Sequence, residues 1–135
     1  MNKENTERLL KKYPKLYRQY HLSAGESCMC WGFPGDGWYD IIDRLSEKLM
    51  AFKSDIDLEA TQVKEKFGSL NFYLNYYNDE IDTVLGDASA ESVRTCEICG
   101  APGKMRDNGW MRCKCDRCQE EDRKIKIEYK EINNE

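Results

Sequence analysis

The sequence holds a single histidine, His21, and only three prolines among 135 residues. With one imidazole available, no Ser/His/Asp arrangement stands out, and no glycine-rich phosphate loop is present. Nor does any paired metal-binding motif leave an open coordination position, so an enzyme is not expected. No run of apolar residues approaches the length of a membrane span. The opening stretch MNKENTERLLKKYPKLY lacks the apolar segment of a signal peptide. These absences predict a soluble, intracellular protein with no membrane partner. Internal repeats and low-complexity segments are absent as well.

What is present is cysteine, charge and a modest amount of apolar residue. Seven cysteines in a reducing compartment read as thiols and metal ligands rather than as a disulfide framework. The hydrophobic fraction of 40% supports one folded domain, while a charged fraction of 34% and a mean hydropathy of -0.82 imply a small core that a metal would help to stabilise. The net charge of -4 is unevenly spread. Residues 1–93 carry eleven basic and sixteen acidic side chains, whereas residues 94–118 carry six basic and three acidic ones. Four thiolates on zinc would return about two negative charges to that basic segment, leaving too small an excess to argue nucleic-acid binding from charge alone.

Hydrophobic periodicity divides the chain. Leu9, Leu10, Tyr13, Leu16, Tyr17 and Tyr20 predict a helix over 4–20, kinked or restarted at Pro14. Residues 21–37 are rich in glycine and read as a loop, packed down by Met29, Trp31 and Phe33. Residues 37–53 give the clearest helix, with Asp36 as its N-cap. Trp38, Ile41, Ile42, Leu45, Leu49 and Phe52 fall on one side of it, and Asp36, Asp40, Asp43 and Glu47 on the other. Alternation over 61–77 predicts a hairpin turning at Gly68-Ser69. Residues 79–93 form another helix. The tail from 121 fits a strand through Ile125, Ile127 and Tyr129, or a helix through Ile125, Tyr129 and Ile132.

The strongest chemistry lies between these last two segments. Cys96 and Cys99 form one C-x2-C pair, and Cys115 and Cys118 another, fifteen residues apart. Two sulfurs from one tight turn reach a single ion, and two such turns complete a tetrahedron around Zn²⁺. With four sulfurs no position is left for water, so the zinc would be structural. Pro102-Gly103 and Asn108-Gly109 signal turns, which gives a zinc ribbon with Trp110 packed beside the metal. Cys113 stands close enough to replace Cys115, though the C-x2-C spacing favours Cys115. An iron–sulfur cluster is the other metal reading.

Weaker candidates each have a bland explanation. His21, Cys28 and Cys30, with Cys113, could form a second metal site, or could be core cysteines and a capping histidine. The acidic stripe could hold Mg²⁺ or meet a basic partner, or could be a solvated helix face. Trp31, Trp38 and Tyr39 beside Asp36 and Asp40 could line a pocket for a small nucleotide. Lys64, Lys66, Asn71, Tyr73, Asn75 and Tyr77 on the outer hairpin face could stack bases, bind protein, or pack beneath the tail.

Taken together, SCMCWGF, GDGWYDIIDRL, QVKEKFGSLNFYL and TCEICGAPGKMRDNGWMRCKCDRC resemble an uncharacterised family of small bacteriophage and prophage proteins, over roughly residues 20–120. In that pattern position 118 carries Cys or His, as suits a metal ligand, and position 113 is not a ligand. The resemblance implies an accessory protein acting in bacterial cytoplasm, and it carries no activity with it.

The sequence thus predicts an α+β fold: a small antiparallel sheet with two or three helices over 1–93, a zinc ribbon over 94–120 packed on it, and a tail over 121–135. The expected function is binding of a bacterial host protein, in counter-defence or in redirecting a host enzyme, through the acidic helix and the Tyr/Trp-rich surfaces. The alternatives are a nucleic-acid-binding module using Lys64, Lys66, Tyr73, Lys104, Arg106 and Arg112, and a binder of a small nucleotide signal.

Overall fold

A computed structural model describes residues 1–52, 56–107 and 109–133. Helix α1 (Lys3–Lys12) starts at Asn2, whose side chain accepts the Asn5 N–H at 2.8 Å. The helix expected to reach residue 20 ends here. Tyr13 precedes Pro14, and the proline ring excludes the helical conformation from the residue before it; Tyr13 sits at φ -129°, ψ 56°. The chain resumes as a 3-10 turn over Arg18–His21. Two further 3-10 turns, Cys28–Trp31 and Asp36–Trp38, break up the glycine-rich segment and lead into α2 (Tyr39–Met50).

Asp36 does not cap α2. Its carboxylate accepts the Asn2 N–H at 2.7 Å and the Asn5 amide at 3.2 Å, which ties the start of α1 to the turn before α2. Residue 53, the expected end of this helix, lies outside the described residues. The apolar stripe of α2 faces inward as its period requires: Ile41, Ile42, Leu45 and Leu49 are buried. Residues Asp79–Ser92 form α3, capped by Asn78, whose side chain accepts the Ile81 N–H.

Strands β1 (Ala60–Lys66) and β2 (Ser69–Leu74) pair antiparallel with Lys66 opposite Ser69. The two turn residues are therefore Phe67 and Gly68, one position earlier than expected, at φ 52° and 83°. Positive φ at both central residues matches the twist of a tight hairpin. Val63, Leu70, Phe72 and Leu74 point to the core and meet Leu16, Tyr17 and the α2 stripe. A second two-stranded sheet, β3 (Lys104–Asp107) with β4 (Met111–Lys114), belongs to the cysteine segment. Cys113 of β4 is buried in the same cluster as the first sheet and α2, so the ribbon shares the core.

The tail is a helix, α4 (Asp116–Asn133). It is rooted by Cys118 and by an ion pair between Lys114 and Asp122, and beyond these Ile125, Ile127, Tyr129 and Ile132 are exposed. The architecture is α+β, with four helices and two small antiparallel sheets among the described residues.

Candidate metal centre and aromatic face

The Sγ atoms of Cys96, Cys99, Cys115 and Cys118 all lie within 4.8 Å of one another. Those of Cys99 and Cys115 are 3.7 Å apart. A tetrahedral ion with metal–sulfur bonds of about 2.3 Å has sulfur–sulfur edges of about 3.8 Å, so the spacing suits one ion between the thiolates and is far too long for a disulfide. Cys96 and Cys99 sit on a turn closed by the Gly100 N–H bonding to the Cys96 carbonyl at 2.9 Å. Cys115 and Cys118 straddle the start of α4, where the Cys118 N–H points at Cys115 Sγ from 3.4 Å. That N–H stabilises the thiolate and lowers Cys115 to about 7, while burial pushes Cys118 up.

Cys113 takes no part in the set. Its side chain alternates to the core side of β4, and burial raises its thiol. Among the described residues no second group of three or more ligands converges. Cys28 is exposed, Cys30 half-buried and His21 exposed, so the possible second site does not form.

No protein-family model, curated protein or solved structure matches this chain.

The GDGW segment explains how the cysteine unit attaches. The Gly37 N–H donates to the Glu97 carbonyl at 2.8 Å, and the Trp38 indole N–H donates to the Thr95 carbonyl at 2.9 Å. A Cβ on Gly37 would stand 2.0 Å from the Cys96 carbonyl oxygen, and one on Gly35 would stand 2.3 Å from that of Glu97. Both glycines let two backbones touch. Trp38 is completely buried and Tyr39 nearly so, with Arg8 over the Tyr39 ring at 4.6 Å. Trp38 and Tyr39 therefore pack inward, whereas Trp31, expected to share a pocket with them, is largely exposed.

Two of the four residues of the acidic stripe are engaged. Asp36 holds α1, and Asp43 accepts from Lys12 and from the Tyr13 hydroxyl, both at 2.7 Å. Desolvation would raise the Asp43 carboxyl, but these two bonds outweigh it and hold the group below the usual range. Asp40 alone of the three site candidates is exposed and without such a bond among the described contacts.

Exposed aromatic rings collect elsewhere. Trp31, Phe67 and Trp110 are 75%, 70% and 71% exposed. Trp110, expected to pack beside the cysteines, is thus largely open to solvent, and Asn108 of its expected turn lies outside the described residues. A cleft of about 480 Å³ between the hairpin tips is lined by Lys66, Phe67, Trp110 and Met111. Glu65 also borders a second cleft, lined by β1 residues including Lys64 and by Trp31 and Arg112. A third, containing Trp110 and Arg112, continues to Lys114 and Lys126.

The cations are held in different ways. Lys64 and Lys66 rest over the rings of Tyr73 and Phe67, each at 5.9 Å. Arg112 pairs with the buried Glu97 at 3.1 Å, and burial raises that carboxyl despite its partner. Arg106 and Lys104 both reach Asp116, at 2.7 and 3.5 Å. Phe67 and Trp110 were not foreseen as site residues. Their signal was a bulky apolar side chain where tight turns ordinarily place asparagine or glycine.

Proposed function

We propose that the protein is a non-enzymatic binding module, stabilised by one structural zinc ion, whose working surface is the aromatic face shared by the two hairpin tips. One observation carries the reading: Trp31, Phe67 and Trp110 are largely exposed around neighbouring clefts, whereas Tyr129, the other ring exposed to that degree, lies on the tail helix away from them. Clustered exposed rings are costly for solubility and mark interaction surfaces. Zinc is the ion favoured by four cysteine ligands in a closed tetrahedral set. Such a site supplies rigidity and has no place for a reacting water, which supports binding over catalysis.

The resemblance to phage and prophage proteins would place the partner in bacterial cytoplasm, as a host macromolecule engaged for counter-defence or redirection. The acidic face of α2 is a weaker contact than the aromatic face, because Asp36 and Asp43 already serve intramolecular bonds. No helix among the described residues is long and apolar enough to cross a membrane.

The test is purification from a bacterial host with metal analysis and identification of what co-purifies. One zinc per chain is expected, together with a macromolecule that Phe67→Ser/Trp110→Ser loses and Asp40→Ser keeps. Iron or no metal would reject the zinc assignment; an unchanged set of co-purifying species in the aromatic variant would reject the surface.

A further inference from the structure

We infer that the occupant of the aromatic face is single-stranded nucleic acid, its bases stacked on Trp31, Phe67 and Trp110 and its phosphates met by Lys64, Lys66 and Arg112. This rests on the aromatic face being the working surface, and it names the class of partner.

Three features of the face separate this occupant from a protein. The first is charge. The neighbouring clefts carry six basic side chains against Glu65, Glu97 and Asp122, on a chain whose net charge is -4; Arg106, Arg112 and Lys114 are paired with carboxylates, while Lys64, Lys66 and Lys126 make no ion pair among the described contacts. A general protein-docking patch has no reason to reverse the sign of the whole molecule. A polyanion does, and the acidic remainder would keep duplex and other polyanions from adhering indiscriminately.

The second is the interleaving of rings and cations. Lys64 lies over Tyr73 and Lys66 over Phe67, so each ammonium sits next to a ring. In a single strand bases and phosphates also alternate. A ring accepts any base face, at about 1–3 kcal/mol per base, and the neighbouring cation takes the adjoining phosphate.

The third is the position of Phe67. A phenylalanine at φ 52° is in a backbone region that bulky side chains rarely occupy, and an exposed ring recovers nothing from the core in return. Asparagine or glycine would make the same turn with less strain. The ring at the hairpin tip lines one cleft together with Trp110 and Met111, so two exposed rings border the same space. Paired bases in a duplex are stacked on one another and cannot lie on such rings, whereas unpaired bases can.

Fluorescence anisotropy with labelled single strands of about 15 nucleotides, oligo-dT and oligo-U, alongside a duplex of the same length, tests the inference on the full-length zinc-loaded protein. Both single strands are expected to bind at low salt and the duplex more weakly. With three phosphate contacts the log–log salt slope should be about -2, a loss of roughly 16-fold between 50 and 200 mM salt. Trp31→Ala, Phe67→Ala and Trp110→Ala should each weaken binding at least about 5-fold, with unchanged circular dichroism. Lys64→Glu should weaken it and flatten the slope. Equal affinity for duplex, or insensitivity to the ring variants, overturns the stacking assignment. If no oligonucleotide binds while Phe67→Ser/Trp110→Ser still loses a co-purifying protein, the nucleic-acid inference falls and the binding surface stands. If neither is affected, both fall.

Discussion

Gly37→Ala is the substitution that most directly challenges the account of how the metal unit is seated. The added methyl carbon would lie 2.0 Å from the Cys96 carbonyl oxygen and 2.6 Å from the Glu97 carbonyl carbon and the Gly100 nitrogen. All three are backbone atoms, so no side chain can swing aside. Reaching ordinary contact at about 3.4 Å requires the two segments to part by more than an ångström. At that separation the Gly37–Glu97 hydrogen bond is lost and the Trp38–Thr95 bond is lost or bent, at about 0.5–1.5 kcal/mol each. Water then reaches part of Trp38, for about another kilocalorie. The sum is on the order of 3 kcal/mol, or roughly 10 °C in melting temperature for a chain of this size. Gly86 supplies the control. It lies within α3, and an added Cβ there meets nothing within 4 Å, so Gly86→Ala should stabilise by about 0.5–1 kcal/mol. Thermal denaturation of both variants, with a colorimetric assay for metal release to a chelator, gives the comparison. Gly37→Ala should melt early and give up metal quickly, and Gly86→Ala should melt late. If Gly37→Ala is as stable and as metal-retentive as the parent, the close approach does not hold the unit in place.

Three further outcomes are expected. Removing the metal with a strong chelator should loosen the body as well as the ribbon, because Trp38 hangs on the Thr95 carbonyl; in a Trp31→Phe/Trp110→Phe background the Trp38 emission should shift to the red, and an unmoved spectrum would mean the two parts are independent. Phe67→Asn should raise the melting temperature by releasing the strain of a bulky residue at positive φ, worth about 1 kcal/mol, while weakening partner binding; a fall in stability would show that the ring supports the fold. Asp43→Asn should destabilise the protein near neutral pH and less in acid. The Asp43 carboxyl is held low in the folded state, so its contribution is present above the unfolded value of about 3.9 and fades as pH falls through the folded one; parallel pH–stability curves for parent and variant would contradict this.

The four-cysteine cluster could be read from spacing because two short loops that meet at one point leave a mark in sequence. The stripe of α2 and the alternation of β2 were legible for a related reason: each element buries one face, and a buried face writes its period into the chain. The end of α1 was less clear, since Pro14 could equally have opened a helix as closed one. The role of GDGW was not legible at all. Its glycines serve a contact with residues about sixty positions away, and nothing local records that distance. Tyr39 and Trp38, which look like ligand-binding aromatics beside aspartates, are spent on packing, whereas Phe67 and Trp110 stand outside because turns carry them there. The tail was ambiguous on pattern alone because its isoleucines cover no core. Its helix begins where the second cysteine pair sets the direction of the chain.

The bond from the Trp38 indole to the Thr95 carbonyl spans fifty-seven positions and imposes an order on biosynthesis. When a ribosome has made the first three helices and the first hairpin, the largest side chain in the core still lacks its cover. That cover arrives only with the cysteine pairs, which, holding the proposed ion, would set only when it is captured. A nascent chain in a cell short of metal would therefore wait half-closed, displaying Trp38 and the Cys113 side of the core to chaperones and proteases. Metal supply would then govern how much of the protein survives its own synthesis, before it governs how well any finished molecule works.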